Sequence, residues 1–310
     1  MARYPFRHRV REFLAEYRHV YARSTYAERV RALTRMQKDI ELLFGDKKIS
    51  TADPAKMTFI DVKEFFVLLK DRGLGPKSIS HELSYLKSLC SFYGNPAVDT
   101  ARNRFPMMKA YTARKRKPTI PYEVIDTIIS LGMKKTNFDT MRDYAVVVIS
   151  ICAGLRADEI RNALRDNLDL EEGTIYVDIV KGRGTYGEPR TIPIVPQGLP
   201  LLTEYVKLRD AAVPGGFYLF PSRTHSGPLA TNTLRKDKDI VAREADYEIN
   251  FQSCRRTYGQ WLTDDGVPAD TVSLHMGHKN SKTTENYYAR KRESDALSVT
   301  KGIWAMKGGK

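Results

Sequence analysis

The 310-residue chain carries 51 lysine and arginine residues against 37 aspartate and glutamate residues, for a formal net charge of +14. Its composition, 42% hydrophobic and 28% charged, excludes an intrinsically disordered chain. The longest uncharged apolar run, residues 144–155, is shorter than the about 20 residues that span a bilayer. The basic excess favours a polyanionic partner. Nucleic acid is a better candidate partner than an anionic membrane surface, because no basic amphipathic segment dominates the sequence.

The spacing of cysteines and histidines argues against a metal site. Cys90, Cys152 and Cys254 lie far apart without a C-x-x-C pair, which disfavours a disulfide framework and a zinc site alike. His275 and His278 have no acidic or sulfur ligand beside them in a metal-like pattern. We expect reduced thiols, no metal and no cofactor. Because no apolar segment closely follows the basic N-terminus, we also expect a cytoplasmic, nucleoid-associated protein.

Apolar periodicity predicts that the first ~110 residues are all-helical. One helix is predicted over residues 24–44, with Ser24 or Thr25 as its N-cap. Its apolar face recurs every three or four residues, at Val30, Leu33, Met36, Ile40 and Leu43. Further helices are predicted over residues 61–70 and 76–93, closed by Gly73 and Gly94.

A basic segment is predicted to separate two domains, the number that the chain length favours. Residues 113–119 form the predicted interdomain linker. Its consecutive basic residues are Arg114, Lys115, Arg116 and Lys117. Two interpretations stay open, a solvated run of charge or a strap that lies along a DNA phosphate backbone.

The hydrophobic period changes in the second segment, which predicts a mainly α fold with a small β-hairpin (α+β). Helices are predicted over residues 122–131, 140–153, 199–210 and 231–245. Residues 173–180 and 191–195 alternate apolar and polar side chains, which predicts two strands. The glycine-rich turn between the strands carries Lys181 and Arg183, and we place Arg190 on the same turn.

The first candidate motif surrounds Arg156. Gly154 is predicted to end one helix and Asp158 to cap the next. Arg156 then lies beside a helix N-terminus, where both its guanidinium fork and the exposed N–H groups favour a phosphate oxygen. Taken alone, an arginine at such a junction is more often a structural ion-pair residue.

Further candidates follow near the C-terminus. Gln252 and Arg255 are predicted to open another helix. His278 follows a Met-Gly pair, and Tyr287 comes nine positions later with Tyr288 beside it. An isolated tyrosine is far more often a packing residue than a nucleophile, so only the combination of motifs carries weight.

Read in chain order, five elements resemble the tyrosine recombinase family of the phage-integrase type. They are Gly-Leu-Arg-x-x-Glu, a lysine on a hairpin turn, x-x-x-Arg opening a helix, Met-Gly-His, and Thr-Thr-x-x-Tyr. The resemblance covers residues 118–292 by motif. It implies a DNA-clamping, core-binding domain over residues 1–112 and a catalytic domain over residues 120–293. Two interpretations of the tail, residues 294–310, stay open: a helix packed on its own domain, or, as the resemblance implies, a segment that docks on a neighbouring protomer.

The resemblance also implies a role for each matching residue. Arg156 and Arg255 match the arginines that clamp the scissile phosphate. Lys181 matches the lysine of the hairpin turn and is the candidate general acid. His278 matches the histidine that contacts the phosphate or manages a proton, and Tyr287 matches the nucleophile.

Four other residues complete the implied site. Glu159 matches the acidic residue that supports the site, and Tyr288 is the adjacent alternative nucleophile. Arg183 and Arg190 are weaker acid candidates, because an arginine scarcely releases its proton; Arg183 is also a candidate DNA contact, as are the linker residues 114–117.

Gln252 departs from the family pattern, which usually has histidine there. Glutamine can donate a hydrogen bond to a phosphate oxygen but cannot exchange a proton near neutral pH. The departure bears on any general-base role of this position, and we interpret it as tuning more readily than as inactivation.

The implied activity is site-specific DNA recombination, through a 3′-phosphotyrosyl intermediate and a Holliday junction, without ATP or metal. The implied partners are double-stranded DNA and further copies of the chain, as a dimer on one site and a tetramer in synapsis. Integration or excision of a mobile element and resolution of DNA dimers are both compatible with it. The alternatives are a catalytically decayed DNA-binding protein of the same fold and a strand transferase resembling type IB topoisomerases.

Overall fold

The computed structural model describes residues 5–109, 118–178, 188–222, 224 and 227–277. The chain divides into two compact units, Met1–Lys115 and Arg116–Lys310. No helix of the described ranges is long and apolar enough to cross a membrane.

The described part of the first unit contains helices and no strand. Its helices are α1 (Pro5–Tyr17), α2 (Arg23–Gly45), α3 (Phe59–Asp71), α4 (Pro76–Phe92) and α5 (Ala97–Arg104). The three predicted helices are therefore confirmed, as α2, α3 and α4, and α1 and α5 are additional. Their apolar faces meet in one core, in which Phe6, Met36, Phe65 and Leu83 are fully buried.

The predicted N-cap of α2 is wrong. The helix begins at Arg23, and Ala22 is its N-cap residue without a side-chain cap. Because the carbonyl of Ala22 already accepts the Tyr26 N–H at 2.9 Å, Ser24 and Thr25 lie inside the first turn. In α3, by contrast, the Thr58 hydroxyl accepts the Asp61 N–H, and the buried Asp61 carboxylate accepts the Thr58 N–H. This is the capping-box arrangement that fixes a helix start.

The second unit is built around one buried helix. Its helices are α6 (Tyr122–Met133), α7 (Phe138–Cys152), α8 (Ala157–Arg161), α9 (Leu199–Ala212), α10 (Thr231–Glu244), α11 (Phe251–Asp264) and α12 (Ala269–Met276). All residues of α7 are buried except Asp139 and Thr140 in its first turn, and α6, α9, α10 and α11 pack around it. A helix that is buried all round forms the centre of a core, and α7 thus fixes the positions of the elements that carry the site.

A small antiparallel sheet lies beside these helices. Strands β1 (Leu168–Asp169), β2 (Thr174–Val177) and β3 (Arg190–Pro193) pair in that order, with Ile175 opposite Ile192. The predicted hairpin is therefore confirmed, and β1 extends it to three strands. Ile175 and Val177 are buried as the alternation predicts.

The three cysteines are free and buried, Cys90 in the first unit and the other two in the second. Burial raises the pKa of each thiol to about 12. All three thiols are therefore neutral near physiological pH.

Candidate active site

A sharp turn after α7 brings Arg156 to the start of α8. Gly154 adopts a left-handed conformation (φ +63°), and a Cβ there would lie 2.5 Å from Cδ1 of the buried Tyr258 ring. Only glycine fits both the backbone conformation and the close approach. The predicted helix end at Gly154 is therefore confirmed, and Arg156 becomes the N-cap residue of α8.

The predicted cap at Asp158 is wrong, because α8 begins at Ala157 and Asp158 lies within its first turn. Glu159 instead accepts the backbone N–H of Arg156 at 2.9 Å. Asp158 points to solvent, with its side chain 74% exposed and 3.0 Å from Arg161.

Glu159 lies at the centre of a cluster of three arginines. Its carboxylate accepts a hydrogen bond from Arg156 Nη1 at 2.7 Å and two from Arg190 Nη2 at 3.0 and 3.2 Å. Arg255 Nη1 lies 3.9 Å from the same carboxylate. We call these four residues the arginine cluster. Its three cations and one carboxylate leave an excess of two positive charges.

Glu159 is ionised in this setting. Burial by itself raises the pKa of the carboxyl group, but the guanidinium groups of Arg190 and Arg156 outweigh it and hold the pKa below its ordinary value. The carboxylate is 1% exposed, so it neutralises part of the cluster without facing solvent.

The cluster also binds the C-terminal end of α12. Arg190 Nε donates to the carbonyl of His275 at 2.8 Å, and Arg156 Nη2 donates to that of Gly277 at 2.7 Å. Arg255 donates to the carbonyl of Met276. The last carbonyls of a helix have no partner within the helix and carry partial negative charge, so guanidinium groups stabilise this end.

The three arginines differ in exposure. The side chain of Arg156 is 32% exposed, that of Arg255 11% and that of Arg190 5%. Arg156 and, to a lesser degree, Arg255 can meet an anion from solvent, whereas Arg190 is internal.

Two neighbouring side chains shape the surroundings of the cluster. Gln252 is exposed in the first turn of α11, three residues before Arg255 and on the same helical face. Asn250 caps this helix by accepting the Ser253 N–H at 2.7 Å. On α12, burial lowers the pKa of His275 despite a hydrogen bond with the Thr191 backbone, and so His275 adds little positive charge beside the arginines.

The structure brings together the predicted residues Arg156, Glu159 and Arg255, with Gln252 at the edge. The other predicted residues lie outside the described ranges, as do most of the linker and all of the tail: Arg114, Lys115, Arg116, Lys117, Lys181, Arg183, His278, Tyr287 and Tyr288. Among the described residues, no group of three or more histidine, cysteine or acidic side chains could hold a metal ion.

The placement of Arg190 on the hairpin turn is wrong. Arg190 is the first residue of β3 and is buried in the cluster. A signal was present, because Arg190 alternates in phase with Ile192 and Ile194, which are both buried. An arginine in phase with core residues needs buried hydrogen-bond acceptors, and the Glu159 carboxylate and the His275 carbonyl supply them.

The fold and the arginine cluster together indicate the class of protein. The protein has two units and is mainly helical, and its second unit carries a cationic site suited to phosphate oxygens. A model of the phage integrase family matches residues 120–294, more than half of the chain. The chain therefore belongs to this family, the tyrosine recombinases, and its resemblance by motif is confirmed.

Individual relatives agree with this assignment, and a solved structure shares the fold. Tyrosine recombinase XerC of Neisseria meningitidis serogroup B is 24% identical over 256 residues, covering 80% of each chain. Tyrosine recombinase XerA of Pyrococcus furiosus is 26% identical over 233 residues, covering 73% of this chain and 74% of the relative. XerH site-specific recombinase, solved on a palindromic difH substrate after cleavage, has a TM-score of 0.69 at 16% identity, covering 96% of this chain and 95% of that chain. The fold class predicted from sequence is confirmed.

Proposed function

We propose that the protein is a site-specific DNA recombinase that cuts and rejoins DNA through a covalent bond from Tyr287 to a backbone phosphate. The observation that carries the proposal is the convergence of Arg156 and Arg255, from distant parts of the chain, on Glu159 and the end of α12. His278 directly follows that helix end in the sequence.

The charge of the arginine cluster suits the transition state. Negative charge grows on the nonbridging oxygens of a phosphodiester as a fifth oxygen approaches, and preorganised cations aimed at those oxygens stabilise it. Arginine suits this task because its rigid fork makes two parallel hydrogen bonds. Arg156 and Arg255 would grip the oxygens, and the cluster's excess of two positive charges would offset the charge that develops.

The proposed cleavage step exchanges one phosphoester bond for another. The phenol oxygen of Tyr287 bonds to phosphorus while the bond from phosphorus to the 5′ oxygen breaks. The phenol, whose ordinary pKa is about 10, passes its proton to His278, and the nearby cations make this loss easier. Lys181 gives a proton to the leaving 5′ oxygen. One phosphoester replaces another, so a 5′ hydroxyl from a second duplex can reverse the attack without ATP or a metal.

We propose that Gln252 contacts the scissile phosphate through its side-chain amide. Its exposed position on the face of Arg255 supports this role. Since the amide neither gains nor loses a proton near neutral pH, proton transfer falls to Lys181 and His278.

Assembly follows from the number of strands. A full exchange cuts four strands and each chain offers one nucleophile, so we propose a dimer on each site and a tetramer in synapsis. A palindromic site, such as that on which XerH was solved, suits a two-fold dimer. The helical first unit and the basic residues 114–117 would hold the DNA backbone. The reaction would take place on cytoplasmic DNA, for integration, excision or dimer resolution.

A covalent-adduct experiment tests the proposal. The full-length protein is incubated with supercoiled plasmids carrying candidate inverted-repeat sites, and detergent stops the reaction. Wild type and the matched control Tyr288→Phe should form protein–DNA adducts, whereas Tyr287→Phe should bind the same plasmids and form none. Adducts that persist in Tyr287→Phe would refute the nucleophile assignment.

The same experiment separates the two alternative functions. A decayed DNA-binding protein would form no adduct on any plasmid that it binds, and Gln252→His would then test whether a histidine restores cleavage. A topoisomerase-like enzyme would relax a plasmid without a site as fast as a plasmid with one.

A further inference from the structure

We infer that Arg190 is a positioning residue that holds the end of α12 in register with Arg156 and Arg255. The catalytic part of this role rests on the function proposed above.

The guanidinium of Arg190 joins two elements of the site. Its Nε donates to the His275 carbonyl at the end of α12, and its Nη2 donates to Glu159 in α8. The same Glu159 carboxylate binds Arg156 and lies beside Arg255. Arg190 thus links the helix that precedes His278 to the carboxylate that orients the phosphate-facing arginines.

Burial separates the role of Arg190 from that of the other arginines. Its side chain is 5% exposed, whereas that of Arg156 is 32% exposed. A DNA phosphate arriving from solvent meets Arg156 and not Arg190. The charge of Arg190 acts on the reaction through Glu159 and α12.

The backbone at Gly277 is fitted to Arg190. Gly277 is left-handed (φ +55°), and a Cβ there would lie 2.9 Å from both Cζ and Nη1 of Arg190. Gly277 therefore permits both the left-handed backbone at the helix end and the space that the guanidinium occupies. This close approach places the residue before His278 directly against Arg190.

Lysine cannot reproduce this linkage. Arginine directs Nε and Nη2 along separate axes of a rigid plane, and these two atoms reach the helix carbonyl and the carboxylate at once. A lysine ammonium is a single centre on a flexible stem. Arg190→Lys should therefore keep the positive charge but not the simultaneous hydrogen bonds to the helix carbonyl and the carboxylate, whereas Arg190→Met loses both the charge and the hydrogen bonds.

The experiment measures three quantities in each full-length variant. Hydrogen–deuterium exchange reports on the amides of residues 269–277, a gel-shift titration gives the Kd for site-bearing DNA, and single-turnover adduct formation gives the cleavage rate. We expect amide exchange in α12 to accelerate in Arg190→Met by roughly tenfold or more beyond any acceleration in α7, whose exchange follows global unfolding. Kd should change by less than about threefold while cleavage slows roughly 100-fold, the cost of a misplacement of about 1 Å. Arg190→Lys should slow cleavage by roughly tenfold or more.

Arg209→Lys is the matched control. Arg209 is equally buried in the same unit but bonds to the carbonyls of Gly216 and Tyr218, outside the cluster. In the Arg209→Lys variant, amide exchange in α12 and the cleavage rate should both stay within about threefold of wild type.

Several outcomes would overturn the inference. Unchanged exchange of α12 in both Arg190 variants, normal cleavage despite faster exchange, or parallel losses of DNA binding and cleavage would each do so. If Arg190→Met fails to fold, Arg190→Lys decides. If wild-type protein forms no adduct, the proposed function fails by itself, and the exchange measurement still decides whether Arg190 holds α12.

Discussion

Replacing Glu159 with glutamine should destabilise the second unit strongly. The change leaves Arg190 and Arg156 buried or half-buried without the carboxylate that they share. Removing one partner of a buried ion pair costs about 3–5 kcal/mol. In a unit of roughly 200 residues each kcal/mol shifts Tm by about 2–4 °C, so Tm should fall by about 6–20 °C at pH 7.

The effect has a defined pH dependence. The folded-state pKa of Glu159 is lowered. The contribution of its carboxylate to folding stability is therefore fully present above the ordinary carboxyl pKa and is lost as pH falls through the lowered value. The gap in Tm between wild type and Glu159→Gln should therefore narrow below about pH 4.

Circular dichroism melts at a series of pH values measure this gap. Asp158→Asn is the control, since its exposed ion pair with Arg161 contributes about 0–1 kcal/mol. A Tm for Glu159→Gln at pH 7 no lower than that of Asp158→Asn would refute the reasoning about the cluster.

Two further predictions concern stability. In Gly154→Ala the new Cβ adds left-handed backbone strain, about 1–2 kcal/mol, and a clash with the Tyr258 ring. Urea unfolding should show a larger loss of unfolding free energy than for the control Gly215→Ala, where φ is +66° and the space is open. Equal losses in the two variants would contradict the clash with Tyr258. Burial, and next the charge of Asp237, raise the pKa of Asp143 to about 7, so its contribution to stability is full below the ordinary carboxyl pKa and is lost as pH rises through about 7. Asp143→Asn should therefore show a smaller fall in Tm between pH 5 and pH 8 than wild type, and an unchanged fall would count against the shift.

The long elements could be predicted from the sequence because their periodicity is strong. Helices α2, α3 and α4 show it over several turns, and α7 was evident as an uninterrupted apolar run. The missed elements are short or strongly charged. Strand β1 has two residues, and the apolar positions of α1 stand among many basic ones.

The site could be predicted in part for a different reason. Arg156, Glu159 and Arg255 were found through the order of motifs, which no single residue reveals. The place of Arg190 depends on a tertiary ion pair, and one-dimensional spacing could not show which carboxylate it meets. The cap predicted at Asp158 was wrong for a related reason: the helix begins one residue before Asp158, with Arg156 as the N-cap residue and its N–H bonded to Glu159.

The burial of all three cysteines has a practical consequence for spectroscopy. Maleimide reagents react with the nucleophilic thiolate, which is scarce for a buried thiol with a pKa of about 12. A cysteine introduced at an exposed position, such as Leu274 on α12 with 63% exposure, would be labelled selectively in the otherwise native chain. Fluorophores or spin labels could then follow the movement of α12 as DNA binds, without a cysteine-free background.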